Sequence, residues 1–171
     1  MLIEQMKVLL QRFEAMLNTP DMSIAEEIFA PHFVAHFPLT PALTRSNFKN
    51  FIQSFYDAFP DFIMEINDSI ITCDHMVLRV TYYGTHKGDF LGIAATGYQI
   101  TMPGISIFRV ENDLVVENWT EIDVFGVVRQ ISRDSLLGQP STSSGHDPAG
   151  SKTISRNPRH HHQLGDEIVP R

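Results

Sequence analysis

The sequence predicts an α+β domain in which helices cover one face of a curved, largely antiparallel sheet, and three observations predict it. As far as Phe59, apolar residues recur at three- and four-residue spacing, the period of an amphipathic helix. From Phe62 onward the period changes to two, as in strands with one buried face. The helical stretches all precede the long strands, an order that segregates the two kinds of structure into layers. In such an arrangement the concave face of the sheet becomes the ligand cavity.

The first helix carries Leu2, Met6, Leu9, Leu10, Phe13, Met16 and Leu17 on one face and ends at the Asn18-Thr19-Pro20 breaker. Ser23 followed by Glu26 has the form of a capping box, and Ile24, Ile28 and Phe29 supply the buried stripe of a second, shorter helix. A third helix is expected over Asn47 to Phe59, with Phe48, Phe51, Ile52, Phe55 and Phe59 on one side and Ser46 as its cap. Pro60 stops it. Strands follow at Phe62 to Ile71, Met76 to Gly84, Tyr98 to Val110 and Leu114 to Val124. Turns at Cys73-Asp74-His75 and Glu111-Asn112-Asp113 join them, as does a longer connection through THKGDFLGIAATG.

A chain of 171 residues suits one domain. From residue 134 on there is no Phe, Tyr or Trp, and Ser, Gly, Pro and His dominate. That composition cannot bury enough apolar surface to offset chain entropy. The expected organisation is a folded domain over residues 1–132 and a disordered tail over residues 133–171. Up to Arg133 there are 16 acidic and 9 basic residues, with four of each beyond, so the net charge of −7 falls on the domain. An acidic domain without a Lys/Arg cluster argues against nucleic acid or an anionic membrane as partner, because both need basic patches. A small ligand remains. Cys73 is the only cysteine, which excludes an internal disulfide and suits a reducing compartment, by default the cytoplasm. Charges at Glu4, Lys7, Arg12 and Glu14 leave the N-terminus without the pattern of a signal peptide or membrane span.

Several motifs are bland on inspection. GTHKGDFLG, Gly84 to Gly92, matches neither the phosphate-binding GxxxxGK[ST] loop nor GxGxxG, and its glycines read as bulges and turns. His86 within it remains a candidate cavity residue. His32 and His36 lie in an extended segment between Pro31 and Pro38, anchored about 13 Å apart, too far to chelate one ion. His36 alone is either a core histidine or a pocket donor. Cys73, Asp74 and His75 share a turn and cannot converge as a triad. The HHH at residues 160 to 162 lies in the tail.

VENWTEID, Val116 to Asp123, is more informative. Strand alternation puts Glu117, Trp119, Glu121 and Asp123 on one face. A solvated surface would waste the only tryptophan, whereas a dry core would reject unpaired carboxylates, so this face is expected to be a pocket wall. Arg109 can pair with Glu117 across the hairpin if the turn holds a one-residue bulge. Asp123, about 13 Å along the strand from Trp119, is then the deepest acid without an assigned partner.

Taken in order, AFPDFIMEINDSI, GTHKGDFLGIAATG, ISIFRVENDLVVENWTEID and the closing VVRQ resemble the SnoaL-like polyketide (ester) cyclases of the nuclear-transport-factor-2-like superfamily, over about residues 5 to 131. The resemblance implies a cone-shaped barrel: a strongly curved antiparallel sheet and N-terminal helices enclosing an apolar cavity, with a short early strand where FVAHF falls. It implies an intramolecular aldol condensation without cofactor or metal, in which Asp123 is general acid and base. His36 and His86 fall at cavity positions, and Phe90, Trp119 and Phe125 would shield the carboxylate and raise its pKa by desolvation. The ligand implied is a small hydrophobic molecule, a flat polyketide or ester. Dimers are frequent in the family, so a homodimer is among the assemblies it allows. The sequence departs from the family's usual glycine in the last hairpin turn, with Glu111-Asn112-Asp113, and from its proline before Thr-Gly, with Ala94-Ala95. A non-catalytic binding module, or an isomerase or hydrolase on the same fold, stays open beside the cyclase.

Overall fold

The computed structural model describes residues 3–19 and 21–132; the tail expected over residues 133–171 lies outside the described residues. Helix α1 (Ile3–Leu17) buries Met6, Leu9, Leu10, Phe13, Met16 and Leu17, the stripe its spacing predicts apart from Leu2, which lies outside the described residues. A 3-10 turn (Met22–Ile24) leads into the single-turn helix α2 (Ala25–Ile28). The Ser23–Glu26 capping box does not form. Asp21 caps the 3-10 turn instead, its carboxylate accepting from the Ser23 N–H at 2.8 Å. Glu26 turns outward to Arg45 (2.6 Å) and Lys49 (2.8 Å) of helix α3 (Arg45–Ala58). The cap of α3 is Thr44 rather than Ser46, its hydroxyl accepting from the Asn47 N–H at 3.4 Å.

Six strands form one sheet: β1 (Phe29–His36), β2 (Leu43–Thr44), β3 (Ile63–Ile71), β4 (His75–Thr85), β5 (Gln99–Glu111) and β6 (Leu114–Ile122), in the order β2-β1-β6-β5-β4-β3. The fold is the expected α+β cone, with two differences from an antiparallel barrel. The β1–β6 pairing is parallel, and the edge strands β2 and β3 do not meet, so the curled sheet stays open. Helices and the concave sheet face share one core, dense in aromatic rings: Phe13 meets Phe108 edge-on at 4.7 Å, and Phe29 stacks on Phe33 at 4.2 Å.

The β5–β6 hairpin decides which residues see that core. Its turn holds Asn112 and Asp113 at φ of 50° and 66°, the left-handed pair that a tight two-residue hairpin requires and that Asn and Asp tolerate. Val110 pairs with Val115, but Arg109 pairs with Glu117, so Val116 is the extra residue of a β-bulge. The bulge brings Arg109 onto Glu117 as the sequence suggested, at 3.0 Å. It also inverts the alternation. Val115 and Val116 are both buried; beyond them Asn118 and Thr120 point inward, while Trp119 and Glu121 point outward. Strand β6 then stops at Ile122, where the sequence reading carried it to Val124, and helix α4 (Val124–Ile131) closes the domain. Gln130 anchors α4 to β5 through both backbone groups of Thr101, at 2.8 and 2.9 Å.

Candidate functional site

The interior of the cone has two compartments that share Phe51, Phe55 and Ile122 as common wall. The inner one, about 20 Å³, lies among Phe13, Phe48 and Phe62 and carries a group of polar side chains, Tyr82, Ser106, Asn118 and Thr120. The outer one, about 330 Å³, is the mouth, lined by Leu39, Phe90, Leu91, Val124 and the shared residues, with Asp89 beside them. Two leucines at this mouth, Leu39 and Leu91, hold φ of 65° and 54° and are 86% and 64% exposed. A left-handed leucine costs roughly 1–2 kcal/mol and an exposed one forgoes burial, and such compromises cluster at ligand sites. The mouth is therefore where the chain spends stability without a packing return.

Gly104 shows how closely the inner wall is fitted. A Cβ there would stand 2.8 Å from Ile122 Cγ2 and 3.5 Å from the Tyr82 ring. The Tyr82 ring also stacks on Phe62, with centroids 5.3 Å apart and planes 7° apart. Burial pushes the Tyr82 phenol well above its ordinary pKa, so it is a neutral donor and acceptor.

The residues expected at the site are dispersed. Phe90 is buried and lines the mouth. Trp119 is not a pocket wall: after the bulge it faces outward, 38% exposed, stacked on His36 at 5.5 Å. His36 lies with it outside the cone, its Nε2 3.0 Å from Glu117 Oε1. Glu117, held by His36 and then by Arg109, has a carboxyl below the ordinary carboxylate range. Glu121 is exposed on the same outer face. Phe125 does not shield Asp123; at the first turn of α4 it is 72% exposed.

Asp123 itself is exposed rather than deep, because the strand ends before it. Its Oδ1 accepts from the Gly126 N–H at 2.8 Å and caps α4. Its neighbours Ile122 and Val124 both line the mouth, whose lining does not include Asp123 itself.

His86 is fully buried but lies outside both compartments. Its Nδ1 lies 3.0 Å from Thr96 Oγ1 and 3.3 Å from the Thr96 N, and its buried Nε2 has no hydrogen-bond partner among the described residues. The ring packs on Phe59 at 5.5 Å. The rest of GTHKGDFLG braces the end of α3. Lys87 and Gly88 N–H groups both donate to Ala58 O, and a Cβ at Gly88 would fall 2.1 Å from Asp57 O, which only glycine avoids.

The turn residues Cys73 and Asp74 are exposed, and His75 is half-buried against Asp74. Among the described residues no three His, Cys, Asp or Glu side chains gather as a metal site, and no helix is long and apolar enough to cross a membrane.

Sequence reasoning missed Tyr82, Ser106, Asn118 and Thr120. For the strand pair the signal was present: once the bulge that pairs Arg109 with Glu117 is counted, Ser106 stands across from Thr120, and Asn118 follows Thr120 on the same face of β6, opposite the core residue Phe108.

A helical layer on a curled sheet, with an apolar two-compartment interior opening at one end, defines a small-molecule cone. Residues 7–131 match the SnoaL-like polyketide cyclase family, and the chain belongs to it. Among solved structures, IdmH of Streptomyces antibioticus, a candidate polyketide cyclase, is similar with TM-score 0.68 and 25% identity over 74% of this chain and 97% of its own. A candidate polyketide cyclase of Acidithiobacillus ferrooxidans gives 0.67 and 25% over 78% and 99%. AclR of Streptomyces galilaeus, described as a candidate hydroxylase, gives 0.70 and 23% over 77% and 83%, a likeness of fold. No curated protein sequence matches the chain.

Proposed function

We propose that the protein is a cyclase-type enzyme that folds a hydrophobic polyketide or ester substrate into the cone and closes a ring by an intramolecular aldol reaction. The observation that carries this is the mouth of about 330 Å³, walled by aromatic and aliphatic side chains that include both chain neighbours of Asp123, in a chain of the cyclase family. Asp123 is the acid and base of this reading. It takes a proton from the carbon α to a substrate carbonyl, the carbanion attacks a second carbonyl of the same molecule, and the protonated carboxyl returns the proton to the new alkoxide. This sequence requires no cofactor. The carboxylate is exposed, so substrate bound over Ile122 and Val124 must exclude water from it during the proton transfer.

Asp123→Asn tests the reading cleanly, since asparagine caps a helix about as well as aspartate and α4 should survive. Turnover of polyketide ester substrates should fall by about two or more orders of magnitude with binding retained, because only transition-state stabilisation is lost. Unchanged turnover would remove Asp123 from the chemistry. The exposure of Asp123 favours a second reading, a binding module that holds an aromatic or lipid-like ligand without transforming it; this reading expects no turnover from either protein.

A homodimer through the convex face of the sheet belongs to the same proposal. Ile105, Ile107 and Trp119 are exposed there as one apolar row, with Arg79 and Glu121 on either side of Ile105, and Ile63 and Tyr83 are exposed further along the same face. A two-fold axis would lay each charge against its opposite and cover the apolar row. Ile105→Asp should convert a dimer to a monomer in sedimentation velocity; a wild-type chain sedimenting as a monomer would sink the dimer.

A further inference from the structure

Four polar side chains are buried inside an otherwise aromatic and aliphatic cone, and their hydrogen bonds run in one direction. Asn118 Nδ2 donates to Ile107 O at 3.2 Å, which fixes the amide and turns its Oδ1 toward Thr120. Thr120 Oγ1 donates to that oxygen at 3.1 Å. Its hydrogen is thereby used, so in the 2.8 Å contact between Ser106 Oγ and Thr120 Oγ1 the serine must donate. Ser106 Oγ is left with acceptor capacity, and Tyr82, whose ring lies over Gly104 on the same face of β5, borders the same compartment. The ladder therefore ends at Ser106, and all four residues border the inner compartment.

That compartment, about 20 Å³, has room for about one water-sized group, and polar partners stand around it. A core position of this kind would be more cheaply filled by carbon, since a buried polar group gains little unless it is fully bonded. Building four polar groups next to a space for one oxygen makes sense if a ligand supplies that oxygen.

We propose that Tyr82, with Ser106, Thr120 and Asn118 behind it, is an oxygen-recognition subsite at the closed end of the cone, into which a ligand held in the mouth inserts one oxygen of a 1,3-dicarbonyl group past Phe51 and Phe55. The subsite rests on the reading of the cone as a ligand site and adds to it which chemical group goes deepest. Both tautomers of such a group are served. A keto oxygen accepts from the Tyr82 hydroxyl, and an enol hydroxyl donates to the Tyr82 oxygen. Tyr82 is a ligand-binding residue here, its ring set by the stack on Phe62.

The test uses α-tetralone and tetralin, bicyclic probes that differ by one carbonyl oxygen, with the full-length chain and its Tyr82→Phe variant. Phenylalanine keeps the stack and removes only the hydroxyl; Ser106→Ala, which removes the end of the ladder, is the second variant. Loss of one buried hydrogen bond should weaken tetralone binding to Tyr82→Phe by about tenfold, with tetralin changed by less than about twofold. The infrared carbonyl stretch of bound tetralone should move to higher frequency in Tyr82→Phe, and by a smaller step in Ser106→Ala. Tetralone affinity and stretch unchanged in both variants would overturn the subsite and leave the cone as a ligand site. Equal weakening of both probes would also overturn it, because it would assign Tyr82 a packing role only. A wild-type protein that binds neither probe would overturn the reading of the cone and the subsite with it.

Discussion

The two faces of strand β6 are built from the same alternating sequence and do opposite work. Inward, Asn118 and Thr120 are buried and hydrogen-bonded, and Ile122 forms part of the wall between the compartments. Outward, Glu117, Trp119 and Glu121 meet water, with His36 and Arg109 around them. The acids that look like a catalytic cluster in the sequence are on the outer face, and the modest polar residues between them are in the cavity. One inserted residue, Val116, makes the difference. Side chains alternate with period two, so a single extra residue exchanges the faces for the rest of the strand.

Inserting one alanine between Glu117 and Asn118 should therefore have the largest effect. It would drive Trp119 and Glu121 into the core and turn Asn118 and Thr120 to solvent, or force a slip of the hairpin. We expect loss of cooperative folding in urea titration, since an uncompensated buried carboxylate alone costs several kcal/mol. An insertion variant with native stability would show that the residue count along β6 does not set the phase, whereas deletion of Val116 itself should keep Glu117 opposite Arg109 and both faces as they are.

A smaller contrast comes from neighbours on β5. Phe108 faces the core and Ile107 faces outward beside Trp119. Phe108→Ala should lower stability by about 3–5 kcal/mol through a cavity, and Ile107→Ala by less than about 1 kcal/mol in the monomer. Similar losses at the two positions, read as urea midpoints, would contradict the assignment of faces.

The mildest effect is on acid stability. Glu117 has a folded pKa below its ordinary value, chiefly through His36 and then Arg109, with Glu111 also on Arg109. A depressed carboxyl pKa contributes stability above the ordinary carboxylate range and loses it as pH falls through the folded value. Glu117→Gln should accordingly show a shallower fall in stability between about pH 7 and about pH 3 than the wild-type protein. Because the pair is partly solvated, the difference should be modest. Identical slopes would mean that the outer network is energetically silent.

Much of the fold was legible because it rests on local periodicity. The α1 stripe, the aromatic face of α3, the four long strands and the bulge that pairs Arg109 with Glu117 all follow from spacing and turn chemistry. Helix α4 was hidden, since its eight residues continue a β-branched run and start only where the Asp123 cap turns the backbone. The caps of the early helices were misplaced by a few residues because Ser23, Asp21, Ser46 and Thr44 are all good capping types, and only the path of the chain chooses among them. The site was less legible than the fold. Phe90 could be placed in a cavity by family likeness, yet no pattern along the chain shows that Leu39 and Leu91, far apart in sequence, share one mouth.

Local chemistry thus specified which segments become helices and strands, where the last hairpin turns and how apolar the interior must be. Which face of β6 looks inward, and so which polar groups a ligand can reach, was decided by strand pairing across the sheet. A bulge changes no residue type and little hydrophobicity; its effect exists only when β5 and β6 are brought into register and both must cover the same core.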